Sequence, residues 1–234
     1  MDAVIISVDY AKSPRYPFPH ALLQLYEVLR WALTPQLPKE ALGVRLDPSR
    51  VAVMGNSAGG NLTASLSLLL SFTRGPCARY RDKLPEAFCQ VAQILLYPSL
   101  RCNVPYINRY NDGDEAVRAA SLPVWVATLM EASYLPPQVD THQIFIAPVD
   151  ADTDLLKSLK LAPILCITAR KDCLRYEAKE YLKNLQKAGH STEQRECVDA
   201  IHGFSHHKKD YEKDREDCWR WVTQFLQQKL HGEI

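Results

Sequence analysis

An α/β fold with a mostly parallel sheet covered on both faces is the architecture this sequence predicts. Three observations predict it: compact apolar runs recur along the chain, helical patterns separate them, and Pro, Gly or Asp marks most of the junctions. Successive strands joined through helices run parallel, because only a long crossover can return the chain to the same end of a sheet.

Taken in order, Val4–Val8 is a β-branched run ending at Asp9-Tyr10 and reads as a buried strand. After a loop carrying Pro14, Pro17 and Pro19, residues His20 to Leu33 place Leu22, Leu25, Tyr26, Leu29 and Ala32 at helical spacing. The turn Asp47-Pro48-Ser49-Arg50 leads into a second strand, Val51–Met54, and Leu62 to Phe72 is helical and apolar on most sides. Gln90–Tyr97 is a third strand closed by Pro98. Residues 103–149 change character, with prolines, a polar Asn111-Asp112-Gly113-Asp114 turn and one helical patch, Pro123–Tyr134; they read as a cap-like insertion over the core. Pro163–Thr168 is a fourth strand, Tyr176–Ala188 a helix stopped by Gly189, and Thr192–Val198 a fifth strand. A last helix presents Cys218, Trp221, Val222, Phe225 and Leu226 on one face. About five core strands in a single domain, 1–234, are expected.

Composition narrows the function. With 234 residues, 47% of them hydrophobic, the chain can build one substantial core. A formal charge of +1 gives no basic face for nucleic acid and no polybasic membrane patch. Seven scattered cysteines without a CxxC pair fit neither a disulfide framework nor a zinc site, so a reducing cytoplasmic compartment is expected. No stretch is long enough to span a membrane, and nothing calls for a cofactor.

Gly55-Asn56-Ser57-Ala58-Gly59 fits G-x-S-x-G between a predicted strand and a predicted helix, which is the context that motif needs. Such a turn lifts the Ser57 hydroxyl above the carboxyl ends of the strands, with the helix N-terminus favouring negative charge beside it. Gly55 and Gly59, two positions either side, are expected to be glycine because a side chain there would clash. A small-residue turn with an incidental serine would read the same over five residues, but Gly55 to Asn61 as a whole is far more specific.

Gly-Asn-Ser-Ala-Gly-Gly-Asn resembles the Gly-Asp-Ser-Ala-Gly-Gly-Asn signature of the hormone-sensitive-lipase-like carboxylesterases of the α/β-hydrolase fold. Val8-Asp9-Tyr10 with Pro14 and Pro17-Phe18-Pro19, Leu46 to Val51, Ala162-Pro163, Asp172-Cys173-Leu174 and Ile201-His202-Gly203-Phe204 are similar to further stretches of that family. The resemblance implies a Ser-His-Asp triad in the chain order Ser57, Asp172, His202. Asp172 follows the fourth strand and His202 the fifth, so both sit at the same end of the sheet as Ser57. Asp172 could instead cap the helix near Leu174, Asp150, Asp152 and Asp154 are rival acids lying ahead of that strand, and His202 could be an ordinary loop histidine. His206 and His207 lack the partners for a metal site, and no metal is expected.

The family carries a His-Gly-Gly-Gly-type segment whose backbone N–H groups form most of the oxyanion hole. No Gly-rich run precedes Ser57, which leaves the Ala58 N–H as the identifiable donor. The same comparison predicts that Val4–Val8 pairs directly with Val51–Met54 and forms a raw edge that a second copy of the chain covers. Asn56, in place of the family's acid, is assigned to substrate binding with Trp125 and Leu129 of the insertion, although such residues more often form a helix's packing face. The expected activity is hydrolysis of a small apolar carboxylic ester. Acyl-transfer, cyclisation or lyase chemistry in specialised metabolism is the alternative, and a binding protein or inactive subunit the second.

Overall fold

The computed structural model describes residues 3–207 and 209–231. A parallel sheet of four strands lies at its centre, ordered as in the chain: β1 (Val51–Asn56), β2 (Gln90–Leu96), β3 (Ile164–Lys171) and β4 (Thr192–Ile201). Helices α1 (His20–Leu33) and α2 (Gln36–Leu42) precede β1, and α3 (Ala58–Ser71) and α4 (Ala78–Asp82) link β1 to β2. Between β2 and β3 come α5 (Tyr106–Asn111), α6 (Glu115–Ala120), α7 (Val124–Tyr134), a 3-10 turn at Pro148–Asp150, and α8 (Thr153–Ser158). Helix α9 (Arg175–Lys187) joins β3 to β4, and α10 (Glu212–His231) follows a 3-10 turn at Phe204–His206.

The two-residue period of the strands sorts their side chains onto opposite faces. Leu95, Ile164 and Cys166 pack with Ala64 and Leu68 of α3 and with Ala178, Tyr181 and Leu185 of α9. On the other face Ile94, Leu96, Leu165 and Ile167 meet Cys218, Val222 and Phe225 of α10. Helix α3 is buried from Gly60 to Leu70, because the sheet covers one side while Ala21, Leu22 and Tyr26 of α1 cover the other. Its near-uniform apolarity is what a helix enclosed on both sides requires.

Two expectations are corrected. Val4–Val8 is not a strand and does not pair with β1, so the sheet has four strands rather than five. A strand persists only where a neighbour takes up its backbone groups, and the chain here is held elsewhere. The Ala11 N–H donates to Gln24 Oε1 on α1 at 2.7 Å, and Tyr10 packs into the α1–α3 cluster. Val4 and Ile5 are left 49% and 87% exposed. Among the described residues the two edges of the sheet are therefore β1 and β4, and Val4–Val8 forms neither.

Candidate active site

Ser57 occupies the tight junction between β1 and α3 with φ 54° and ψ −118°, a region that side-chain-bearing residues rarely enter. Such a conformation costs on the order of 1–3 kcal/mol and survives only where the surroundings over-determine it. Here they do. The Ser57 N–H donates to Leu96 O at 2.9 Å, and Ser57 O accepts from the N–H groups of Gly60, Asn61 and Ser99 at 2.9, 3.2 and 3.2 Å. A Cβ on Gly55 would run into the Gly59 carbonyl, and one on Gly60 would come within 2.7 Å of Pro98 Cβ. Gly59 itself has open space beside it, so the close packing expected there falls on Gly60 instead.

The structure brings the three expected residues together. Ser57 Oγ lies 2.8 Å from His202 Nε2, and His202 Nδ1 lies 2.7 Å from Asp172 Oδ2. A carboxylate only accepts, so with Asp172 ionised Nδ1 carries the hydrogen and Nε2 presents its lone pair to the Ser57 hydroxyl. Asp172 also accepts the Leu174 N–H through Oδ1 at 3.0 Å, so the helix-start role weighed above coexists with the contact to His202. The rival acids go elsewhere: Asp152 caps α8 through the Leu155 N–H, Asp154 pairs with Lys157, and Asp150 accepts from Asn103.

The other expected site residues divide. Asn56 Nδ2 is 3.1 Å from His206 Nε2, which ties the end of β1 to the histidine loop. The Ala58 N–H opens α3 beside Ser57. Trp125 and Leu129 are 72% and 61% exposed on α7; the face of α7 that packs is formed by Val124 and Ala127, so these two are not its packing face. His207 stacks edge-on against Tyr211.

Residues not anticipated from sequence support this arrangement. Tyr97, 2% exposed, sets its ring 5.1 Å from that of His202 and bonds its hydroxyl to Ser205. Burial pushes its phenol above the usual range, opposed by hydrogen bonding to Ser205 and Asn56. Asn61 Nδ2 donates to Ser99 O and Ile146 O at 2.9 and 3.0 Å, locking the start of α3 to the following loops. Beyond Asp172, the Cys173 N–H donates to Ser121 Oγ at 3.1 Å, and Arg109 lies between Glu131 and Glu177. Burial raises both carboxyls, and the Arg109 guanidinium between them opposes that rise. These partners lie far apart in sequence, 108 residues for Tyr97 and Ser205 and 68 for Arg109 and Glu177, so no local pattern could announce them.

A serine raised on a strand-to-helix turn of a parallel sheet, facing a histidine loop after the last strand, is how α/β hydrolases are built. Residues 1–206 match the alpha/beta hydrolase fold family, and the chain belongs to it. The resemblance to hormone-sensitive-lipase-like carboxylesterases holds with this membership. Arylacetamide deacetylase of Rattus norvegicus is 28% identical, over 87% of this chain and 60% of its own length. Carboxylesterase NlhH of Mycobacterium tuberculosis is 29% identical, over 86% and 56%. Carboxyl esterase 2 of Tuber melanosporum superposes with a TM-score of 0.77 at 23% identity, covering 96% of this chain and 67% of that one. A thermostable esterase from Pseudomonas putida does so at 0.76 and 25%, covering 95% and 63%. The chain thus spans about 60% of the length of the curated relatives it matches.

Proposed function

We propose that the chain is a serine hydrolase of small, apolar carboxylic esters, with Ser57 as nucleophile, His202 as general base and acid, and Asp172 orienting His202. The observation that carries this reading is the continuous hydrogen-bonded line from Ser57 Oγ through His202 to Asp172 at a strained elbow. Ser57 Oγ attacks the ester carbonyl while its proton passes to His202 Nε2, and the carbonyl π pair becomes an oxyanion facing the Ala58 N–H. Collapse expels the alcohol, which takes the proton from His202. Water repeats the sequence on the acyl-enzyme, releasing the acid and regenerating Ser57.

The relatives' names, a deacetylase of arylacetamides and several carboxylesterases, support acyl transfer to water and add aryl amides to the candidate substrates. Residues 103–149 are proposed as the cap, with Trp125 and Leu129 offering exposed apolar surface to the acyl or alcohol group and Asn56 bordering the site. Seven cysteines, all free, fit a reducing cytoplasmic compartment. No described helix is long and apolar enough to cross a membrane. A second copy of the chain is proposed to cover the β1 edge.

The Ala58 N–H, at the start of α3 beside Ser57, is proposed as an oxyanion donor. Losing one such donor lowers turnover by about 10²–10³. Turnover of p-nitrophenyl acetate and of p-nitroacetanilide, compared with Ser57→Ala, tests the reading. Hydrolysis that vanishes in the variant is expected. Equal rates in both proteins would overturn it and turn attention to non-hydrolytic chemistry or binding.

A further inference from the structure

The sheet register sets Asn56 opposite Leu96, so the next residues of the two strands, Ser57 and Tyr97, leave the sheet side by side. Both have left-handed backbone, at φ 54° and 34°, although neither is glycine. Strain at two neighbouring positions persists only when the fold gains from the directions it gives those side chains. Ser57 is turned towards His202. Tyr97 sets its ring against the same imidazole, with ring centroids 5.1 Å apart and the planes at 69°. The Tyr97 hydroxyl reaches three residues past His202 to bond Ser205, which is itself buried. Its ring also meets Phe204 edge-on at 5.4 Å. The backbone is fixed by the Tyr97 N–H donating to Ile167 O on β3 at 2.7 Å. One tyrosine anchored in the sheet therefore touches His202, Phe204 and Ser205.

We propose that Tyr97 is the positioning residue for His202, holding the imidazole through its ring edge and the 202–206 loop through its hydroxyl bond to Ser205. Asn56, bonded to His206, closes the same loop from β1. The inference rests on the reading of His202 as the general base. Its physical basis is that His202 is the first residue beyond β4, in a loop that turns at Gly203, where φ is 78°, and the triad contacts alone do not fix where that loop sits. A displacement of about 1 Å at the base is worth roughly 10² in rate. The chain therefore has reason to hold this loop from the sheet side.

The test compares the wild type with Tyr97→Phe, Ser205→Ala and the double variant. Each single variant should lower kcat for p-nitrophenyl acetate about 10²-fold with KM unchanged. The double variant should be no worse than either single one, because the two hydroxyls act as a unit. In the absence of substrate, the NMR signal of the His202 Nδ1 proton should be sharp in the wild type and broadened by faster exchange in the variants. Where Tyr97→Phe fails to fold, Ser205→Ala, which removes a single oxygen, carries the same comparison. A lowered melting temperature with kcat and the proton signal untouched would overturn the proposal and leave Tyr97 an ordinary core residue. If the wild type turns over no ester yet the proton signal responds as expected, the esterase reading falls while the positioning role stands. If turnover is normal in every variant, the reverse holds.

Discussion

At the scale of single residues, the meeting of Ser57, Asp172 and His202 was legible because each follows a strand. Order along the chain and placement after a strand were enough to choose Asp172 over Asp150, Asp152 and Asp154, which precede β3. The glycines were read less well. A motif treats Gly59 as the close contact, whereas in three dimensions Gly60 faces Pro98 and Gly59 faces open space. The two glycines should therefore respond oppositely to the same substitution. Gly59→Ala adds a helix-favouring residue to the first turn of α3 and should stabilise the fold by up to about 1 kcal/mol. Gly60→Ala pushes a methyl against Pro98, next to Tyr97, and should destabilise it by about 1–3 kcal/mol. Urea denaturation of both variants decides between them, and equal effects would show that the elbow relaxes more freely than its packing suggests.

At the scale of elements, strands and helices buried on a repeating pattern were readable, and α1 runs over the expected His20–Leu33. Helix α3 begins four residues ahead of the expected Leu62, because the glycines that weaken its propensity lie in a turn fixed by tertiary contacts. Residues 103–149 could be recognised only as a change of character, since what attaches them is a set of contacts distant in sequence, polar and apolar. Arg109 of α5 bridges Glu131 of α7 and Glu177 of α9, and Glu177 in turn accepts the Leu100 N–H at 2.6 Å. That cluster sits behind the Asp172 loop, where Tyr106, Val117 and Ala127 pack on Cys173 and Leu174. Removing the cation from a buried cluster leaves its acids uncompensated, so Arg109→Met should cost about 3–5 kcal/mol at neutral pH. The pH dependence has a definite sign. Burial already raises the Glu131 and Glu177 carboxyls, and the folded variant holds protons more tightly than the unfolded chain. Its stability should rise as pH falls from neutrality towards the ordinary glutamate range, and be lost as pH climbs through the raised values. Urea midpoints between pH 5 and 8 measure this; a deficit that is flat across that range would mean the acids do not carry it.

For the whole molecule, the sheet was read one strand too wide, and the error has a physical origin. Val4–Val8 has the composition of a buried strand, but composition records what a segment would do beside a partner, and this segment lies free while β1 also lacks a neighbour on one side. An unpaired strand edge in a chain of this size is a template for further pairing unless charge or a covering segment blocks it. β1 carries neither a charged residue nor a proline, and its Met54 is 39% exposed. A twofold arrangement in which two β1 strands pair would satisfy both edges at once, as isologous dimers do. Light scattering across a concentration series should then give a mass that rises from one chain to two. Met54→Lys, which places a charge where the second copy would settle, should keep the protein monomeric without loss of helix content. A wild type that stays monomeric at every concentration would exclude the second copy as the occupant of that edge. Dimerisation that survives Met54→Lys would move the interface away from β1, with the apolar stripe of Trp125, Leu129 and Met130 on α7 as the next surface to alter.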